Sequence, residues 1–97
     1  MDKEISKDLF EVENPVYQSF EDMIKKYIGY GVVVTNMEPG ERGSGDPCKG
    51  GIIRYYTKTS KKIYHKWFEC GDIPEYGDVK YISLIPNPGS LGGLYLG

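Results

Sequence analysis

Phe20, Met23, Ile24, Tyr27 and Ile28 recur at i, i+3, i+4, i+7 and i+8. That spacing collects five large apolar side chains on one face of an α-helix, whereas a strand would split them between its two faces. Glu21, Asp22, Lys25 and Lys26 fall on the opposite side. Asn14-Pro15 opens the segment, Ser19 with Asp22 three residues on resembles a capping box with Asp in place of Glu or Gln, and Gly29 and Gly31 supply a stop. The pattern predicts a helix over about 15–28.

Gly31-Val32-Val33-Val34-Thr35 is β-branched and bounded by glycine and Asn36, so it reads as a buried strand ending near Met37. Residues 39–51 hold five glycines and two prolines and are expected to form a long loop. Two β-prone runs follow, Ile52–Tyr56 and Ile63–Phe68, joined by Thr57-Lys58-Thr59-Ser60-Lys61-Lys62, and the economical reading is a β-hairpin. With a three-residue loop, Ile53, Tyr55, Thr57, Ile63, His65 and Trp67 share a core face. Arg54, Tyr56, Lys58, Lys62, Tyr64 and Lys66 then share the exposed one. A two- or four-residue loop mixes both faces instead. Residues 70–78 carry turn chemistry, Val79–Ile85 reads as another strand, and Pro86-Asn87-Pro88-Gly89 ends it. The tail with Leu91, Leu94, Tyr95 and Leu96 is expected to add a short edge strand or pack on the core. At the other end, Ile5, Leu9 and Val12 fit a turn or two of amphipathic helix or a flexible arm over 1–13. Together these elements predict one small domain over 1–97 of α+β class, with one main N-terminal helix packed on a four- to five-stranded antiparallel sheet.

The net charge of -2 conceals a block structure. Lys49 to Lys66 contains six basic residues and no acid, and Glu69, Asp72, Glu75 and Asp78 then follow without a base before Lys80. A net acidic chain argues against generic coating of nucleic acid, while a local basic run marks a contact surface or a solvated edge. Cys48 and Cys70 permit one disulfide at most, and the charged opening Asp2-Lys3-Glu4 lacks the apolar stretch of a signal peptide. A cytoplasmic protein with reduced thiols and no membrane segment is the expectation.

Catalytic and ligand motifs are incomplete. The loop around Gly43-Ser44-Gly45 lacks the Gly-Lys-Ser/Thr of a phosphate loop, because Cys48 precedes Lys49 and Gly50 follows it. His65, Cys48 and Cys70 have neither zinc-ligand nor nucleophile–base spacing, and Asp72, Glu75 and Asp78 do not form a calcium-binding loop. No cofactor or metal is expected. Nine tyrosines among 97 residues and the segregated charge favour a non-enzymatic binding protein. It would be of the inhibitor, immunity or anti-defence type found in bacteria or phage, and would occlude a larger protein with an acidic surface through Arg54, Tyr56, Lys58, Lys62, Tyr64 and Lys66. The alternative is a nucleic-acid or nucleotide binder using the same hairpin and the glycine-rich loop.

Overall fold

Val32, Val33 and Val34 are all fully buried. Consecutive strand side chains point to opposite faces, so the sheet that holds them is covered on both sides. The computed structural model describes residues 2–43 and 45–85. Along the chain it runs β1 (Lys3–Ser6), β2 (Leu9–Glu11), β3 (Tyr17–Ser19), α1 (Phe20–Tyr27), β4 (Gly31–Pro39), β5 (Cys48–Thr57), α2 (Ile63–Gly71), a 3-10 turn at Pro74–Tyr76 and β6 (Lys80–Ser83). The six strands form one antiparallel sheet in the order β1-β2-β5-β4-β6, with β3 beside β2 on the outer side of β5.

The class is α+β, as the sequence predicts, but the sheet is larger, a strand pair precedes the first helix, and there are two helices. α1 covers one face, where Phe20, Met23 and Tyr27 pack with Val32, Val34, Ile53, Ile82 and Leu84. α2 covers the other, where Ile63 and Cys70 pack with Leu9 and Val33. Each fully buried side chain of this size contributes about 1.5–3 kcal/mol of hydrophobic stabilisation.

Several expectations change. Lys3–Glu11 is neither a helix nor a flexible arm, because β1 and β2 form a hairpin and β2 pairs with Tyr55–Thr57 of β5. The helix starts at Phe20, five residues later than predicted from Pro15, because Tyr17–Ser19 pairs with Gly50–Ile52 as β3. Ser19 is the N-cap, its hydroxyl accepting from the Asp22 N–H at 3.2 Å. Ile28 is the C-cap, with non-helical backbone, and is exposed instead of joining the buried face. The glycine-rich loop shrinks to 40–47, since Cys48–Gly51 belongs to β5. A Cβ on Gly51 would come within 2.5 Å of Val34 Cγ1, so glycine is what lets the two strands approach here.

The largest correction concerns the hairpin. Ile52–Tyr56 is part of β5, but Ile63–Phe68 is the body of helix α2. Ile63, Trp67 and Cys70 fall at i, i+4 and i+7, which presents one stripe to the sheet. Hydroxyls turn the connection: Thr57 Oγ1 accepts from the Ser60 N–H at 3.0 Å, and Ser60 Oγ accepts from the Lys62 N–H at 3.2 Å. Of the predicted last strand, Lys80–Ser83 is extended. The expected edge strand or packed tail around Leu91 to Leu96 lies outside the described residues. No helix among the described residues is long and apolar enough to cross a membrane.

Candidate binding groove

The six residues predicted to share one exposed face are dispersed. A bulge between Val33 and Val34 pairs them with Tyr55 and Ile53 and leaves Arg54 unopposed. Its Nε donates to Thr35 Oγ1 at 2.9 Å and its guanidinium lies 4.4 Å from the Tyr76 ring centre, on the α2 side. Tyr56 points to the α1 side, stacked on Phe10 at 5.2 Å, and donates its hydroxyl to Asp2 Oδ2 at 2.7 Å. Burial and that carboxylate push its pKa far above the usual phenol range. Lys58 leans over the Tyr30 ring at 5.3 Å. Tyr64 meets Tyr81 edge to face at 5.0 Å on the flank of α2 toward β6.

Lys62 and Lys66 stay together, on the other flank of α2. With His65 and Glu69 they occupy i, i+3, i+4 and i+7, so one stripe of the helix carries all four. This stripe faces the β1–β2 hairpin across a cavity of about 340 Å³, whose apolar wall is Ile5 and Leu9. The Lys66 ammonium lies 3.2 Å from Glu69 Oε2 and 5.6 Å from the Tyr55 ring centre, which fixes its stem against the sheet. Tyr55 in turn donates its hydroxyl to Glu11 Oε2 at 3.0 Å, and burial followed by that hydrogen bond raises its pKa strongly. Lys62 and His65 are exposed at the rim. Two ammonium groups and an imidazole therefore border an apolar trough that holds a single carboxylate.

Ile5, Leu9 and His65 are members of this groove that sequence reasoning missed. The signal for the helix wall was the i, i+3, i+4, i+7 spacing of Lys62, His65, Lys66 and Glu69. The hairpin wall depends on pairing with β5, which is not local in sequence.

Two further cavities have a different character. One of about 260 Å³ lies between the N-terminus of α1 and the 40–47 loop, with Glu21, Glu41 and Asp46 in its lining beside Lys49. Those carboxylates oppose the anion-cradle reading of the glycine-rich loop. Another, of about 200 Å³, places Arg54 among Glu11, Glu13 and Tyr76. Cys48 and Cys70 are both buried and unbonded, on opposite faces of the sheet, and burial raises both thiol pKa values. Among the described residues no three His, Cys, Asp or Glu side chains converge in a way that would hold a metal ion. Comparison with known protein families, with curated protein sequences and with solved structures returns no match.

Proposed function

We propose that this chain is a small non-enzymatic binding protein of the inhibitor type, which occludes a larger protein by gripping an acidic, partly apolar element of it in the groove between α2 and the β1–β2 hairpin. The observation that carries this reading is the convergence of Lys62, His65 and Lys66 on a cavity of about 340 Å³ walled by Ile5 and Leu9. An apolar floor with a cationic rim complements an acidic side chain flanked by apolar ones. Charge at the rim sets orientation and association rate, and the floor supplies desolvation. The burial and raised pKa of both thiols support a role without nucleophilic catalysis. The acid-free run from Lys49 to Lys66 is spread over both faces of the sheet, which supports a protein partner over a nucleic-acid strand tracking one continuous basic stripe.

The test is photo-crosslinking in cells from a benzophenone side chain at His65, with Glu21 on the α1 side as the control position. A protein adduct specific to position 65 is the expected result. The purified partner should then bind with at least about tenfold lower affinity and a shallower salt dependence to the Lys62→Glu/Lys66→Glu variant. An adduct that is removed by nuclease transfers the groove to the nucleic-acid reading. Equal crosslinking from both positions, or unchanged affinity of the variant, overturns the proposal.

A further inference from the structure

We infer that the element held in the groove is an amphipathic α-helix of the partner protein, lying along α2 with an acidic flank toward Lys62 and Lys66 and an apolar flank on Ile5 and Leu9. The inference rests on the functional reading above and names the kind of structure that fills the site.

The α2 face of the sheet is only partly covered. α2 lies over β4 and its neighbours β5 and β6, and among the described residues no other α-helix lies on that face. β2 is two strands away from β4, about 10 Å at the usual strand spacing. Packed helices lie about 8–10 Å apart. A helix set over β2 and β1 therefore sits beside α2 at packing distance, and the cavity of about 340 Å³ lies at that place. Ile5, 37% exposed on its floor, is what such a helix covers.

The backbone decides between a helix and an extended chain. In the trough an extended segment sets its N–H and C=O groups against Ile5 and Leu9, where they find no partners, and that burial is costly. A helix satisfies the same groups within itself. The length agrees, because α2 has nine residues and β1 and β2 have four and three, so each wall is about 10–14 Å long. About nine helical residues fill that span.

Charge selects an acidic helix. Lys62, the N-cap residue of α2, has helical backbone and lies one turn, about 6 Å, from Lys66, with His65 on the same flank. Glu69, nearly a turn further on, is bound to Lys66, so the Lys62–His65 end of the trough is the more cationic. Two carboxylates three or four residues apart on the partner helix reach Lys62 and Lys66 together. Apolar side chains at the same spacing on its adjoining flank then rest on Ile5 and Leu9.

Photo-crosslinking in cells from two positions of the full chain reads this geometry. Lys62 and Glu69 are both exposed, so a benzophenone side chain at either should leave the fold unchanged. They are seven residues, about 10.5 Å, apart along α2. Mapped by mass spectrometry of the adducts, the attachment point on the partner should move by about seven residues between the two probes if the element is helical, and by about three if it is extended. The segment so defined should carry two Asp or Glu residues three or four positions apart. Changing both to Lys should weaken binding at least about tenfold, and pairing that change with Lys62→Glu/Lys66→Glu should restore it. A move of about three residues, a segment without the acidic pair, or a charge exchange that restores nothing overturns the inference and leaves the groove as the contact surface. No protein adduct from either position, or an adduct removed by nuclease, overturns the functional reading and this inference with it.

Discussion

The Asp8 carboxylate holds Thr59 twice, its Oδ2 lying 2.6 Å from the Thr59 backbone nitrogen and 2.8 Å from the Thr59 hydroxyl, with both donating to it. The Lys58 N–H adds a third bond at 3.1 Å, and the Thr57 hydroxyl donates to the Asp8 backbone carbonyl. Asp8 sits in the left-handed region at φ 63°, a conformation that short polar side chains tolerate. The clasp joins the turn between β1 and β2 to the connection that starts α2, and so sets the two walls of the groove relative to each other. Asp8→Ala should lower the thermal midpoint and speed amide exchange at residues 57–60. An unchanged midpoint together with unchanged exchange would show that β2–β5 pairing alone aligns the walls.

Acid should reveal the same clasp. Hydrogen bonds led by the Thr59 hydroxyl hold the Asp8 carboxyl below its ordinary value of 3.8, and the Tyr56 hydroxyl does this for Asp2. A folded-state pKa below the unfolded one gives stability that is fully present above the unfolded value and is lost as pH falls through the folded one. The contribution of these two groups should therefore be complete and invariant with pH near neutrality, and denaturant midpoints should decline on acidification below about 4. Asp8→Asn should flatten that decline, and an identical acid limb in the variant would remove Asp8 from the account.

Within α1 the structure separates residues that the periodicity groups together. Met23 is fully buried, Ile24 partly buried and Ile28 45% exposed. Met23→Ala should cost about 2–5 kcal/mol in denaturant titration. Ile28→Ala should stay within about 0.5 kcal/mol, and Ile24→Ala should fall between. Equal losses at all three positions would mean that α1 continues past Tyr27.

The thiols provide a check on the layering. Cys48 lies under α1 and Cys70 belongs to α2, on opposite faces of the sheet, and burial raises both pKa values. Neither should react with iodoacetamide in the native state at mildly alkaline pH, and both should react in denaturant without reductant. Native labelling of Cys70 alone would show that α2 opens independently of the sheet.

Local chemistry made part of this fold readable. The hydroxyl of Ser19, the spacing of Phe20, Met23 and Tyr27 and the glycine at 29 specify α1 within a short window, and the β-branched run at Val32–Val34 specifies β4. Helix α2 was not legible in the same way. Tyr64-His65-Lys66-Trp67-Phe68 has the aromatic content of a strand, and nine residues are too few for propensity to decide. What decides is packing: Val33 and Leu9 need a cover on the face opposite α1, and Ile63, Trp67 and Cys70 supply it only when helical. One sign of this was present in the sequence, because three consecutive valines in a strand put apolar side chains on both faces, and a single helix covers only one. The groove follows from the same tertiary choice. Lys62 and Lys66 are recognisable as basic residues from the chain alone, but their meeting with Ile5 and Leu9 requires β2 to pair with β5 some forty-five residues away, a contact that local propensity does not encode.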